Sequence, residues 1–421
     1  MLNKNIRKKL GIVCLALAMT GLYACGKTDD SKNATEATTA TTAAATTSEE
    51  KTEEVTTEEE ETGITQEQYD SMTEDDLLTA LGITDPENVT EEQYLALVKT
   101  LKFVPIIDDD RIDSLYIESN ITKKAISKVR KGLPSVDTII DEIIKDECPQ
   151  VRGYAYESMF SFFGVKDKSV ALAKENLETE TNDYVLKAAV DALSNEMAKD
   201  PYVAEFIFKM SKHENPKVRY KAAMAIGNQW SIGVDGTVER IIEMMDDDNY
   251  DVRKMACYES GQLHDEKVID RLVEILNDPN EKADIKGKCI NGLVTLWYDY
   301  PFHKHTSERA YRETINYWSK TPRDNDNPEW SSLLLINNKS NTSYDDWRAQ
   351  ATYFNEDEIY NLFTDIIKDE NANWLARQGV IKAIHTHCSA DKFAELKNVV
   401  DGLTDDKATM IQKEYENEAS K

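Results

Sequence analysis

The chain has 421 residues, 40% of them hydrophobic, and 78 acidic against 50 basic side chains give it a formal charge of −28. A surface this acidic argues against DNA, RNA or anionic lipid as the partner of the folded part.

Residues 1–24 open with a basic stretch, MLNKNIRKK, and continue as LGIVCLALAMTGLYA. That apolar run is too short for a stable membrane span and has the layout of an export signal. It ends in Leu22-Tyr23-Ala24-Cys25, which resembles the lipobox of bacterial lipoproteins. The resemblance implies that Cys25 is diacylated, becomes the mature N-terminus and anchors the protein to the outer leaflet of the cell membrane. Plain secretory cleavage is the alternative, and either route exports the chain. Losing residues 1–24 removes four Lys/Arg and no acid, moving the charge to −32. The lipid on Cys25, not electrostatics, would then have to hold the protein at the membrane.

Residues 25–63 are rich in Thr and Glu with almost nothing to bury, which predicts a disordered tether reaching about 35 Å as a coil. Residues 64–118 follow. T-E-D-D (73–76) and T-E-E-Q (90–93) read as capping boxes opening two helices, DDLLTALGI and EEQYLALVKTL. A repeat stack needs its terminal apolar face covered, so this segment is expected to be a small helical cap.

From residue 119 to 404 one pattern recurs. CPQVRGYAYESM, NDYVLKAAVDAL, NPKVRYKAAMAI, NYDVRKMACYES and KADIKGKCINGL align on Val151, Val185, Val218, Val252 and Ile285, in steps of 34, 33, 34 and 33. A sixth copy, NWLARQGVIKAI, is anchored on Ala376. A fixed period in this range is the mark of a solenoid. Asn182, Asn215, Asn249 and Asn373 stand three residues before an anchor as N-caps, and Pro149 and Pro216 suit the first helical position. Small residues four positions after most anchors, such as Ala155, Ala189, Ala222 and Ala256, let neighbouring helices approach closely. Amphipathic segments such as VAEFIFKM, VERIIEMM and VIDRLVEIL supply a second helix each, and no strand pattern stands out. The Asn/Asp turn followed by V-R-x-x-A/C resembles the short bacterial HEAT-like repeats. The resemblance implies an all-α, right-handed α-solenoid of antiparallel helix pairs, with the second helices lining the concave side.

Between Ile285 and Ala376 the repeat blurs. Helices near 306–319 and 347–354 are expected to belong to degenerate repeats, separated by a polar, Asn-rich loop. Five of six tryptophans fall in the irregular region: Trp297, Trp318, Trp330, Trp347 and Trp374. Packed inward they would be core. Turned outward, Trp297, Trp318, Trp330 and Trp347 would form a stacking surface for a glycan or a peptide. Residues 405–421 read as a last polar helix.

Catalytic chemistry finds no foothold. G-x-S-x-G, P-loop, H-E-x-x-H and S-x-x-K patterns are absent, so no enzyme and no cofactor is expected. His303 and His305 (HKH) and His385, His387 and Cys388 (HTHC) invite a zinc reading, but positions i and i+2 of a helix face different sides, and no metal is assigned. Cys148, Cys257, Cys289 and Cys388 match no zinc spacing and read as buried thiols. Arg152, Arg219, Arg253, Lys286 and Arg377 recur one residue after the anchors; turn acids such as Asp183 and Asp251 offer them structural partners, and an anion-binding ladder is the functional alternative. The resulting expectation is an exported scaffold or adaptor that presents its solenoid face to a protein partner. Its candidate contacts are Glu205, Lys209, Glu239, Glu243, Asp270 and Glu274, a mostly acidic set suited to a basic partner. Capture of glycan or peptide through the aromatic block 297–374 is the alternative.

Overall fold

Every capping asparagine does what its position predicts. The side-chain oxygen of Asn182 accepts from the Tyr184 and Val185 amides, that of Asn215 from Lys217, that of Asn249 from Asp251 and Val252, and that of Asn373 from Leu375. Each thereby satisfies first-turn amides that have no partner inside the helix. Pro149 and Pro216 begin their helices. The anchors Val151, Val185, Val218, Val252, Ile285 and Ala376 are at most 1% exposed.

The computed structural model describes residues 63–129, 137–158, 166–298, 306–339 and 344–421. The export signal, Cys25 and the tether up to residue 62 lie outside the described residues, as do His303 and His305. At the N-terminal end stand α1 (Gln66–Ser71), α2 (Glu74–Ala80) and α3 (Glu91–Lys99). All three open on capping boxes, those of Thr73/Asp76 and Thr90/Gln93 and a further one of Thr65/Gln68. The cap is not purely helical. Strands β1 (Ile106–Ile107) and β2 (Tyr116–Ile117) pair antiparallel, Ile106 opposite Ile117. Two-residue strands are too short to leave an alternating pattern in a sequence. Helix α4 (Ile121–Val129) then closes the cap, where the hydroxyl of Thr122 meets those of Tyr69 at 2.8 Å and Thr100 at 2.7 Å.

The solenoid follows as helix pairs: α5 (Asp137–Ile143) with α6 (Pro149–Ser158), α7 (Lys166–Asn176) with α8 (Asp183–Leu193), and α9 (Pro201–Met210) with α10 (Pro216–Ile226). Next come α11 (Thr237–Met244) with α12 (Tyr250–Glu259), then α13 (Lys267–Asn277) with α14 (Ala283–Trp297). Within a pair the Val-Arg helix is the second member, joined to the first by the acidic turn. Only one irregular pair separates the fifth and sixth copies of the motif. In it α15 (Glu308–Lys320) is followed by a nine-residue 3-10 helix, Pro328–Ile336, which takes the place of a Val-Arg helix between α14 and α18 (Trp374–His387). The segment expected to be a polar loop therefore carries a structural element. Helix α16 (Tyr344–Gln350) is an added turn before α17 (Glu356–Lys368), which pairs with α18. The C-terminal segment is no detached tail. Helix α20 (Ala408–Ala419) pairs with α19 (Ala390–Asp401), packs on α18 and buries Ile411 and Tyr415.

Two rows result. The Val-Arg helices α6, α8, α10, α12 and α14 touch one another extensively, whereas first helices such as α11 and α13 meet far less within their own row. A β-carbon on Gly261 would stand 2.2 Å from the Gly292 carbonyl oxygen, and one on Gly292 2.6 Å from that of Cys257. One on Gly153 would fall 2.0 Å from the Tyr184 ring, and one on Gly227 2.3 Å from Glu259 Cβ. In a curved stack the row of closest approach is the inner one. The Val-Arg row is therefore the inner row, so the concave side belongs to the Val-Arg helices and not to VAEFIFKM, VERIIEMM and VIDRLVEIL, to which the sequence expectation gave it.

The recurring arginines stitch this row along its turn edge. Arg152 donates to the Asp146 and Glu147 carbonyls at 2.8 and 2.7 Å, capping the preceding helix, and its Nε reaches Glu180 at 2.7 Å. Arg219 caps His213 and Glu214 and pairs with Asp247 at 2.8 Å. Arg377, fully buried, caps Ile367 and forms a two-point pair with Asp405 at 2.9 and 2.8 Å. The partners are acids of the next turn, 28 residues ahead, rather than Asp183 and Asp251. Hydrogen bonds from Arg377 hold the Asp405 carboxyl down at about 2. Arg152, Arg219 and Arg377 are therefore structural rungs, and Leu186 omits one rung without breaking the row.

Close packing of the inner backbones makes a direct prediction. Gly261→Ala forces a methyl into the Gly292 carbonyl and should lower stability in urea unfolding by about 1–3 kcal/mol. Gly287, whose β-carbon would find its nearest neighbour at 3.8 Å, should tolerate Ala and gain up to about 1 kcal/mol from helix propensity. Equal effects at the two positions would contradict this packing.

Candidate functional site

The inner face carries lysines in the same rhythm as the repeats. Lys187, Lys221, Lys254 and Lys288 follow their anchors by two or three positions, in steps of 34, 33 and 34 residues. Lys221 lies close enough to Lys187 to disfavour the latter's charged form, Lys254 does the same to Lys288, and the buried Glu259 feels both Lys221 and Lys288. The four therefore share one strip across α8, α10, α12 and α14. Tyr220, Met255 and Tyr258 lie half-buried among them.

The N-terminal end of the strip is already occupied by the chain itself. The segment between β1 and β2, DDDRIDSL (108–115), lies over α8 and α10. Lys187 donates to three successive backbone carbonyls, those of Asp113 at 2.9 Å, Ser114 at 2.7 Å and Leu115 at 3.2 Å. Burial in this contact lowers the Lys187 ammonium to about 8. Lys217 takes the Asp108 carboxylate and the Asp109 carbonyl. Leu115 is held at φ +68°, a left-handed conformation that costs a leucine on the order of 1 kcal/mol. Its amide bonds to the Ile107 carbonyl at 2.7 Å and its side chain is buried.

Beyond the loop the lysines have weaker engagements. Lys221 meets Asp191 at 2.7 Å, and Lys254 meets Asp251 at 3.2 Å and Asp284 at 3.9 Å. Lys288 stands 4.6 Å above the Tyr258 ring and has no carboxylate within 4 Å among the described residues. Burial raises the carboxyl of Glu259 to about 7, with Lys288 and Lys221 opposing that rise, and Gln262 donates to it.

The residues singled out from sequence fall elsewhere. Glu205, Lys209, Glu239, Glu243, Asp270 and Glu274 all belong to first helices of the pairs, hence to the outer row. Four of the acids are already engaged. Glu239 pairs with Lys267 at 2.9 Å, Glu243 with Arg240 at 2.7 Å, Glu274 with Arg271 at 2.8 Å, and Asp270 with Arg309. Such exposed pairs contribute little stability each, but they leave fewer unpaired charges for a basic partner. Glu205 and Lys209 are exposed on α9.

The aromatic block is core. Trp297, Trp318 and Trp347 are 1%, 3% and 5% exposed, and Trp330 is half-buried. Trp297 packs edge-on against Tyr311 at 5.0 Å and Trp318 at 6.5 Å. Its ring nitrogen donates to Thr314 at 3.0 Å, and that of Trp318 donates to Ser332 at 2.8 Å. A nine-residue 3-10 helix fills less space than the full helix it replaces, and large rings take up the difference. These three tryptophans offer no stacking face to a glycan. The exposed tryptophan, Trp230 at 44%, lies outside the block.

The histidines likewise do not converge. His387 is buried, its pKa lowered to about 4 by desolvation, with Nε2 donating to the Ile336 carbonyl at 2.7 Å and Nδ1 bonded to the Tyr344 hydroxyl at 2.9 Å. His385 turns to Glu418 at 3.2 Å. No metal-holding group of three His, Cys, Asp or Glu exists among the described residues. Cys257 and Cys289 are buried thiols; Cys148 and Cys388 are half-buried.

The lysine strip escaped the sequence reading, although its signal is present. Once the repeats are aligned on their anchors, lysine recurs two or three places later. What hid it was attention to the arginine one place later, which faces the turn.

Glu259 supplies a pH test of the strip. A carboxyl raised from 4.5 to about 7 on folding binds its proton more tightly in the native state, so stability falls as pH rises from about 4.5 to 7. Glu259→Gln should remove that fall, with a wild-type-minus-variant difference on the order of 2–3 kcal/mol between pH 4.5 and 7.5 in urea unfolding. A difference that does not change with pH would refute the burial of an ionisable group beneath the strip.

Comparison with known proteins agrees with this architecture. A family model described as HEAT repeats matches residues 203–291, from α9 into α14, which covers three consecutive helix pairs. No curated protein matches the chain. HEAT repeats in general mediate protein–protein interaction, and stacks of this kind offer their extended concave surface for it. The chain is thus an all-α repeat solenoid whose residues 203–291 are similar to HEAT repeats.

Proposed function

We propose that the protein is an exported, lipid-anchored scaffold that holds a protein partner against the inner face of its solenoid. The observation carrying this reading is that the inner face already binds polypeptide: three backbone carbonyls of residues 113–115 sit on Lys187. Nothing in that contact depends on the loop belonging to the same chain. The strip continues past the loop with lysines and half-buried aromatic and methionine side chains, a surface suited to another stretch of protein. Export and anchoring rest on the lipobox-like Leu22–Cys25 and the basic-then-apolar signal. The Thr/Glu-rich tether would carry the folded part off the membrane. The partner surface moves from the outer acidic row, expected from sequence, to the inner one.

Two measurements test this reading. Cys25→Ser should abolish incorporation of labelled fatty acid and shift the protein from the membrane to the soluble fraction; unchanged membrane retention would exclude the anchor. A photocrosslinking amino acid at Met255, on the inner face, should give a discrete protein adduct in intact cells, while one at Glu243 on the outer row should not. Adducts at Glu243 alone would return the partner surface to the outer row.

A further inference from the structure

The chemistry of the inner strip says what kind of segment it fits. The occupant of its first rung is acidic: Asp108, Asp109, Asp110 and Asp113 all belong to the loop lying over α8 and α10, and lysines receive both its carboxylate and its carbonyls. The remaining rungs, Lys221, Lys254 and Lys288, repeat that placement on α10, α12 and α14. We propose that the inner face from α10 to α14 docks an extended acidic segment of a partner protein, with Lys221, Lys254 and Lys288 taking its carboxylates and carbonyls. This rests on the scaffold reading and specifies its partner.

Spacing supports an extended segment. Packed helices stand about 8–10 Å apart, and a chain in the polyproline II conformation advances about 3.1 Å per residue with three residues per turn, so one rung corresponds to roughly three residues and every third side chain faces the strip. A segment with an acidic side chain at every third position would present a carboxylate to each lysine. Side chains between those positions would lie over Tyr220, Met255 and Tyr258. The lysines can respond. Lys288 lies over the Tyr258 ring with no carboxylate within 4 Å among the described residues, and the Asp191 partner of Lys221 has a side chain 66% exposed. A pair whose carboxylate stands in solvent is worth about 1 kcal/mol at most, and that carboxylate can be exchanged for a better-placed one. The acidity of the rest of the molecule adds selectivity, because an acidic chain is repelled from the outer row and accepted on this strip.

The test uses a labelled twelve-residue peptide with Glu at every third position and Gly or Thr between, and a counterpart with Gln in place of Glu. Fluorescence anisotropy with the purified chain should show the Glu peptide binding, more weakly as salt rises, and the Gln peptide not binding. Lys254→Gln and Lys288→Gln should each weaken binding about tenfold, the loss of one charged hydrogen bond. Lys209→Gln on the outer row should leave it unchanged, and circular dichroism should show all three variants folded. Equal binding of the two peptides, or indifference to both inner-face variants, would overturn the proposal. Binding that appears only after residues 49–62 are deleted would overturn it too, by assigning the strip to the chain's own glutamate-rich tether. If neither peptide binds while Met255 still crosslinks to a protein, the acidic specificity falls and the scaffold reading stands. If Met255 also fails to crosslink, both fall.

Discussion

The molecule depends on how closely the Val-Arg helices approach one another. Gly261 faces the Gly292 carbonyl and Gly292 the Cys257 carbonyl at separations where no β-carbon fits. Ala155, Ala189, Ala222, Ala256 and Cys289, all fully buried, continue the same seam. Helices that close must form the inner row, and their partners, with bulkier contacts, must fan outward. Curvature, the choice of exposed face and the alignment of side chains along it follow from small residues at one position per repeat. The arginine pairs then fix the turn edge, joining Arg152 to Glu180, Arg219 to Asp247 and Arg377 to Asp405.

Because the seam fixes the register between repeats, a residue type placed once per repeat becomes a line on the surface. Lysine at the second or third place after an anchor becomes the inner strip, and arginine at the first place becomes the ladder of the turn edge. One or two helical steps separate the turn edge from the inner strip. The cap exploits the strip at once: its hairpin reaches Lys187 and Lys217 instead of merely covering the end of the stack. A left-handed Leu115 is tolerated there because Lys187, Ile107 and burial of the side chain all hold it in place.

Much of this was legible in the sequence, for local reasons. N-cap asparagines, capping boxes and a 33–34 residue period act within one or two turns of helix, and each appears where its spacing predicts. The last helix appears where residues 405–421 predict it, but the 3-10 helix at 328–336 is harder to read, since it holds a repeat position by tertiary packing without the Val-Arg signature. The orientation of the rows is not legible in the sequence, because helix order within a pair does not encode which row is inner; only backbone distances do. For the same reason Glu239, Glu243, Asp270 and Glu274 were legible as surface residues but not as ones paired across the outer row. The tryptophans resolved toward core because an incomplete repeat leaves space that large rings fill. The lysine strip needed the repeats to be superposed as a face rather than read as a line.

The Val-Arg row is the inner side of the stack. Spin labels placed at equivalent positions two repeats apart test it most directly. One pair would stand at Lys221 and Lys288 on the Val-Arg row, and the other at Glu205 and Asp270 on the opposite row, with separations measured by double electron–electron resonance. A stack curved about the Val-Arg row gives a shorter separation for Lys221–Lys288 than for Glu205–Asp270. Equal separations would mean an uncurved stack, and a longer Lys221–Lys288 separation would place the lysine strip on the convex side and contradict the account.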